Sequence, residues 1–207
     1  LAQHRSEFGG LIVETIDIEK IYNEFASGSA DPTAIRDFTR MLHERSPTFR
    51  FLLLFGDGSY DYRHRVRETD PQNFVPTFQS DNSLDPIYAY PSDDYFALLD
   101  RNEGSKLRGA LDIAVGRLPV RTAAEAKVIV DKIIKYETDP ELMGDWRMQL
   151  TFIADDEDGS QHMDQTELVA RPIQEEYPMY NQKKIYFDAF EQTSLAGGDR
   201  YPDATEE

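Results

Sequence analysis

Phe51-Leu-Leu-Leu-Phe-Gly-Asp-Gly-Ser-Tyr-Asp-Tyr62 carries the strongest structural signal in the chain. Five apolar residues run without alternation into Gly56-Asp57-Gly58. A short apolar run that ends in such a turn is typical of a buried parallel strand. The stretch therefore predicts an α/β fold with a mostly parallel sheet.

The same pattern recurs three times further along the chain. Asp112–Val115 runs into Gly116, Leu150–Ala154 into Asp155, and Ile185–Phe187 into Asp188. In open α/β sheets, ligands bind outside the carboxyl ends of the strands. We therefore expect any functional site to be built from these turns.

The chain before this strand predicts a βαβ unit. Residues 1–8 read as a helix that Gly9-Gly10 closes, and the β-branched Leu11–Ile16 as a strand. Ile18–Phe25 reads as a short irregular segment. Asp31-Pro32 predicts a helix start, with Asp as the cap and Pro at the first position. Its apolar face comprises Ile35, Phe38, Met41 and Leu42, and Ser46-Pro47 ends it.

Residues 59–110 interrupt the regular pattern and predict an irregular hairpin insertion, with Phe74-Val75 and Tyr95–Leu99 as strand candidates. Regular elements resume at Asp112. Thr122–Glu125 forms a capping box for a helix that buries Ala126, Ile129, Val130, Ile133 and Ile134. A second helix spans about Met163 to Tyr177, and Pro172 is expected to kink or split it.

Composition excludes several classes of function. The 207 residues carry a net charge of −17, which argues against binding to nucleic acid. There is no cysteine, so a disulfide framework, a thiolate metal site and a cysteine nucleophile within these residues are all excluded. No apolar run is long enough for a membrane helix. The first residue is Leu and both ends look cut, so we expect a piece of a longer protein.

The acidic turns are the candidate chemistry. Asp155-Asp156-Glu157-Asp158 could bind a cation, assist a catalytic base, or form a polar turn. Asp57 and Asp61 allow the same interpretations. Asp93-Asp94 could supply oxygen ligands to calcium, although the spacing is not that of an EF-hand. The residues alone leave these alternatives open.

His162 follows the acidic turn and is the best placed of four histidines; His4, His43 and His64 are expected on exposed surfaces. Arg117, just past a predicted strand, could bind an anion, but pairing with the acids of neighbouring turns is the commoner role. The sequence contains no phosphate-binding loop, dinucleotide fingerprint or Ser-His-Asp order.

Several motifs together resemble the gingipain-type cysteine peptidase family. They cover most of residues 20–160, and their sequences are most similar to those of the branch that includes the sortase, or C-terminal signal peptidase, of the type IX secretion system. The matching stretches are Asn23-Glu24-Phe25, Asp31–Phe38, Leu52–Tyr62, Ser92–Phe96, Ala114–Arg121, Ala123–Ala126 and Ala154–Gly159.

The resemblance implies a caspase-like α/β domain in two side-by-side subdomains. The first and smaller would be residues 1–140. The second would begin near Trp146, be incomplete at Glu207, and hold the catalytic Cys and His beyond that point. This fragment alone is therefore expected to be inactive.

The resemblance also assigns roles to individual residues. Glu157 falls at the acidic position that supports the catalytic histidine. Asp57 and Asp93 fall near calcium positions, so the chain could bind a structural calcium ion, and no cofactor is required. His162, Met163 and Asp164 fall near the pocket that binds the substrate side chain preceding the scissile peptide bond. Arg-specific members of the family carry Asp in this pocket.

The function that follows is cysteine endopeptidase cleavage of C-terminal sorting domains from secreted cargo. Its partners would be cargo proteins and other secretion components, and its location the cell surface or outer membrane. Two alternatives stay open: a binding or scaffold module that has lost its nucleophile, and a metal-dependent enzyme that uses the acidic strand ends.

Overall fold

The computed structural model describes residues 1–61, 65, 73–80, 88–104, 106–155, 157–195, 198–202 and 204, with backbone alone at 157, 158, 195, 198 and 199. The chain forms two compact units, residues 1–137 and 138–207. The assignment of subdomains to 1–140 and 146–207 stays a prediction. Within the described residues, no helix is long and apolar enough to cross a membrane.

In its described residues, the first unit contains four α-helices and two small sheets. The helices are α1 (Ala2–Gly9), α2 (Ile18–Phe25), α3 (Pro32–Arg45) and α4 (Ala123–Thr138), whose last residue belongs to the second unit. The strands are β1 (Phe51–Phe55), β2 (Phe78–Gln79), β3 (Pro91–Ser92) and β4 (Ala114–Leu118).

Strands β1 and β4 form the parallel pair that positions the site of this unit. Leu53 lies opposite Gly116, and Leu54 opposite Arg117. Leu54 is buried with residues of α2 and α3, including Ile35, whereas Phe51 and Leu53 are 61% and 48% exposed on the other face. The alternation shows that α2 and α3 cover only one face of this sheet.

The second unit repeats the arrangement with one long helix. Strand β5 (Gln149–Ala154) pairs in parallel with β6 (Asn181–Tyr186), and α5 (Glu157–Glu176) connects them. A small antiparallel pair, β7 (Thr193–Leu195) and β8 (Gly198–Arg200), follows. The two parallel strand pairs and their flanking helices confirm the predicted mostly parallel α/β class.

The start of the chain confirms one prediction and corrects three. Helix α1 ends as expected, with Gly10 in the left-handed region at φ 65°. Leu11–Ile16 is not a strand: Ile12 is 96% exposed, and no described strand pairs with the segment. The predicted βαβ unit is therefore absent there. Ile18–Phe25 is helical, because Asp17 caps it by accepting from the Glu19 amide at 3.0 Å.

Helix α3 confirms its predicted start and end. The Asp31 carboxylate accepts from the Thr33 amide at 2.8 Å, Pro32 lies at the first position, and Ser46 follows the last residue. Helix α4 confirms the capping-box start, with the Glu125 amide donating to Thr122 Oγ1 at 3.1 Å. Its predicted apolar face is half-buried rather than buried.

The insertion and α5 differ from prediction in detail. A hairpin-like antiparallel pair exists, but it is formed by β2 and β3. Phe74-Val75 is not a strand, and Tyr95–Leu99 begins as a short 3₁₀ helix, Asp94–Phe96, in the core. An apolar run by itself does not distinguish these alternatives. Helix α5 begins six residues before Met163 and is not split at Pro172.

Candidate functional site

The turn after β1 is fixed by backbone hydrogen bonds to two other segments. The Gly56 amide donates to the Leu118 carbonyl and the Asp57 amide to the Val120 carbonyl, both at 3.0 Å. The Asp57 carbonyl accepts from the amides of Phe74 and Val75 at 2.9 and 3.1 Å. The carboxyl ends of β1 and β4 are thereby joined to the insertion.

Arg117 of β4 lies at the centre of this edge. Its Nε and Nη2 donate to the two carboxylate oxygens of Asp93, each at 2.7 Å. Its Nη1 donates to the carbonyls of Gly56 and Val75 at 2.8 and 2.7 Å, and Nη2 also donates to Pro76 at 3.2 Å. A guanidinium has five N–H donors, so every one is used. Of the two predicted roles, pairing with acids of a neighbouring turn is confirmed.

The two predicted calcium residues are each engaged by an arginine. Asp93 accepts from Arg117 and from Thr77 Oγ1 at 3.2 Å. Asp57 accepts from its neighbour Gly58 at 3.0 Å and from Arg121 Nε at 2.6 Å. This side-chain pairing raises the pKa of Arg121. The structure thus pairs each of the two carboxylates with its own arginine.

A calcium ion at Asp57 or Asp93 would have to compete with the arginine that is bound to that carboxylate. Calcium takes six to eight oxygen ligands. In the part of the chain that the structure describes, no three acidic or histidine side chains form a group suited to a metal. Asp61, the other acid of this turn, is buried and accepts from the Arg65 amide at 2.8 Å. Calcium binding to the chain stays a prediction.

The turn after β5 contains the second candidate group. Asp155 follows the last residue of β5, and its carboxylate lies 2.6 Å from Nδ1 of His162 on α5. The side chains are 41% and 49% exposed. Thr166 Oγ1 donates to the His162 carbonyl at 2.8 Å, which fixes the same turn of the helix. His162 is thus the one predicted pocket residue that the structure pairs with the acidic turn.

Three other predicted residues, Glu157, Met163 and Asp164, lie on the same helix. Glu157 is the first residue of α5, and its side chain is outside the described part. Asp156 also lies outside the described part, as does the side chain of Asp158. Met163 is half-buried and Asp164 exposed. The supporting role of Glu157 and the pocket role of His162, Met163 and Asp164 stay predictions.

The other three histidines were predicted to be exposed, and the structure describes two of them. His43 is exposed as predicted, and His64 lies outside the described residues. His4 is not exposed: its side chain is 13% accessible, and Nε2 lies 2.6 Å from Glu137 of α4. Arg5 also donates to Glu137, at 2.8 Å. Hydrogen bonds from His4 and then Arg5 lower the pKa of Glu137. The prediction failed because the partner is 133 residues away in sequence.

Glu167 organises a polar cluster that sequence reasoning missed. Its carboxylate accepts from Lys184 Nζ and Tyr186 Oη, each at 2.6 Å, and from Arg171 Nε at 3.0 Å. These hydrogen bonds, Lys184 first, lower the pKa of Glu167 to about 2. Burial, and then the Glu167 carboxylate, raise the pKa of Tyr186 to about 12. The spacing of Glu167 and Arg171, four residues apart on one helix, was the available signal.

Comparison with known proteins gives consistent relationships. The profile of peptidase family C25 matches residues 1–207. No curated protein sequence matches the chain. The crystal structure of dimeric latent PorU from Porphyromonas gingivalis is similar, with 38% identity over 71% of this chain and a TM-score of 0.56. The chain spans 15% of that protein.

A second solved structure supports the same fold. The Arg-specific cysteine proteinase gingipain R is 18% identical over 81% of this chain and 36% of its own, with a TM-score of 0.54. At that identity the similarity concerns the fold alone. The two neighbours confirm the predicted gingipain-like, caspase-like α/β fold.

Proposed function

The chain belongs to peptidase family C25, and from this membership we propose that it forms the first part of the catalytic domain of a cysteine endopeptidase. The observation that carries the proposal is the profile match over all 207 residues. Identity of 38% to PorU over 71% of the chain supports it. Protein substrates follow from the same reaction class.

The proposed chemistry needs groups that these residues do not contain. A thiolate attacks the peptide carbonyl, a histidine transfers the proton to the leaving amine, and backbone N–H groups bind the oxyanion. The sequence has no cysteine, so the nucleophile belongs to another part of the polypeptide. We infer that the catalytic histidine does too.

This chain would contribute supporting groups from the start of α5. Glu157 lies three residues beyond Ala154, at the carboxyl end of β5, where sites of α/β proteins form. A carboxylate there would orient the catalytic imidazole and stabilise its cation. His162, Met163 and Asp164 would line the pocket for the substrate side chain. The contact between Asp155 and His162 supports this placement, because it ties α5 to the strand end.

The finer proposal is a sortase of type IX secretion. The enzyme would remove C-terminal sorting domains from secreted cargo at the cell surface or outer membrane, together with other secretion components. Its support is the similarity to PorU, which exceeds the similarity to gingipain R in identity. Proteins that carry such sorting domains are accordingly the substrates to test.

The decisive experiment uses the parent protein. We expect its sequence beyond Glu207 to contain a His and then a Cys, each following an apolar strand. Purified parent protein should release the C-terminal domain of a cargo protein, and its Cys→Ala variant should not. Release that persists without the Cys, or a parent sequence without one, would reject the peptidase proposal.

The supporting role of Glu157 has its own test. Glu157→Gln should lower kcat by up to about 10⁴-fold and alter the pH profile of the parent enzyme, the effect known for loss of the carboxylate that orients a catalytic histidine. Glu176→Gln, at the other end of α5, is the matched control and should retain activity. Equal rates for both variants would remove Glu157 from the mechanism. The 207-residue chain alone should show no turnover.

The two alternatives make different predictions. A scaffold module would bind cargo without cleavage, and its parent sequence would lack the nucleophile. A metal-dependent enzyme would show turnover by the 207-residue chain that a chelator abolishes. The second alternative gains no support from the described residues, in which no metal-binding group of three side chains occurs.

A further inference from the structure

Five oxygen atoms converge on the Arg117 guanidinium. Two belong to the Asp93 carboxylate and three are the carbonyls of Gly56, Val75 and Pro76, at 2.7–3.2 Å from the nitrogens. We call these five atoms the oxygen cage. The Arg117 side chain is 13% exposed, so solvent contributes little to its neutralisation.

The oxygen cage has the ligand types of a calcium site, but the cation bound in it is the Arg117 guanidinium. Carboxylate and backbone carbonyl oxygens are the ligands that calcium prefers. Here the positive charge comes from a side chain whose planar fork matches a carboxylate with two parallel hydrogen bonds. The cage contributes one formal negative charge, from Asp93, and Arg117 balances it with one positive charge.

We propose that Arg117 is the resident cation of the oxygen cage and replaces a metal ion at Asp93. The cage draws its oxygens from the end of β1, the segment Val75-Pro76 and the turn after β3, while Arg117 comes from β4. One tethered cation thus holds the irregular insertion against the sheet. This inference does not depend on the proposed peptidase function.

The first test compares the purified 207-residue chain in excess chelator and in millimolar calcium chloride. The thermal midpoint should be the same in both, because Arg117 already fills the cage. If calcium raises the midpoint and Asp93→Asn abolishes that rise, Asp93 is a calcium ligand and the proposal fails. A rise that survives Asp93→Asn comes from another site and supports the proposal.

The second test removes the resident cation. Arg117→Ala should lower the midpoint by about 5–15 °C, since it leaves a largely buried carboxylate unpaired. Millimolar guanidinium chloride should restore part of the loss, whereas equal sodium chloride should not. Arg121→Ala, which removes an exposed partner of Asp57, is the matched control and should show neither a comparable loss nor rescue.

The outcomes separate cleanly. Rescue by guanidinium that is specific to Arg117→Ala supports a cage built for a cation, and equal behaviour of the two alanine variants overturns it. If Arg117→Ala does not fold, Arg117→Lys provides the measurement. It should keep the charge and only some of the hydrogen bonds, and so have an intermediate midpoint. A midpoint equal to that of the unmodified chain would refute the need for the guanidinium fork.

Discussion

Gly58→Ala tests the packing of the turn after β1 most directly. A Cβ at Gly58 would lie 2.6 Å from the Val75 carbonyl oxygen and 3.3 Å from Arg117 Nη1, and approaches below 3.0 Å essentially do not occur for real Cβ atoms. The backbone of Val75 cannot move aside freely, because its carbonyl accepts from Arg117 at 2.7 Å and its amide donates to Asp57 at 3.1 Å.

The magnitude follows from two opposing terms. Overpacking costs about 1–3 kcal/mol, and the reduced entropy of the unfolded chain returns about 0.4–1 kcal/mol. The free energy of unfolding should therefore fall by up to about 2.6 kcal/mol, which lowers the thermal midpoint by up to about 10 °C in a chain of this size. Differential scanning calorimetry measures both quantities.

Gly116→Ala is the matched control. Gly116 lies in β4 with no atom within 4 Å of a Cβ placed there, and neither glycine has a positive φ. Both substitutions reduce the entropy of the unfolded chain equally. The difference between their effects on the free energy of unfolding therefore reports the packing of the added methyl group in the folded chain. We expect Gly116→Ala to be neutral or to stabilise by up to about 1 kcal/mol. Equal effects of the two alanines would refute the described approach of Val75 to the turn.

Three further substitutions test the core, a helix cap and the pH dependence. Leu54→Ala should cost about 2–5 kcal/mol by urea unfolding, because Leu54 is 4% exposed, whereas Val128→Ala at a 66% exposed site should change stability little. Asp31→Ala should lower the free energy of unfolding by about 1 kcal/mol, because the Thr33 amide loses its cap. Burial, and then Asp31, raise the pKa of Tyr22 to about 12, so the same substitution should lower the pKa measured by titration of Tyr22. The pKa of Glu167 is about 2 in the folded chain and near 4.3 in the unfolded chain, so its ionised form stabilises the fold fully above pH 4.3, and this stabilisation is lost as pH falls towards 2. Glu167→Gln should remove this part of the dependence of stability on pH. An unchanged slope of stability against pH would contradict the described cluster around Glu167.

Local signals predicted the elements that are determined locally. The apolar run of β1, the Asp31-Pro32 cap of α3 and the Thr122 cap of α4 each act within a few residues, and each lies where expected. The Ile18–Phe25 helix was also predictable, since Ile18, Ile21, Tyr22 and Phe25 share one face.

Predictions failed where a distant partner decides the structure. Leu11–Ile16 has strand composition, yet a strand needs a neighbour for its backbone groups, and composition cannot supply one. Pairing with an acid was one of the two predicted roles of Arg117, but its three carbonyl partners, which lie 41–61 residues away, were missed because no pattern marks them. The pairing of His4 with Glu137 is hidden for the same reason.

The exposed face of β1 affects how the chain behaves in solution. Phe51, Leu53 and Phe55 project from it, each more than 40% exposed, on a chain with a net charge of −17 and a pI near 4.6. Charge repulsion keeps such molecules apart at neutral pH, and salt screens it beyond about 8 Å at physiological ionic strength. Colloidal stability should therefore fall with added salt and reach its minimum near pH 4.6, so acid titrations of this chain must cross that minimum at low protein concentration.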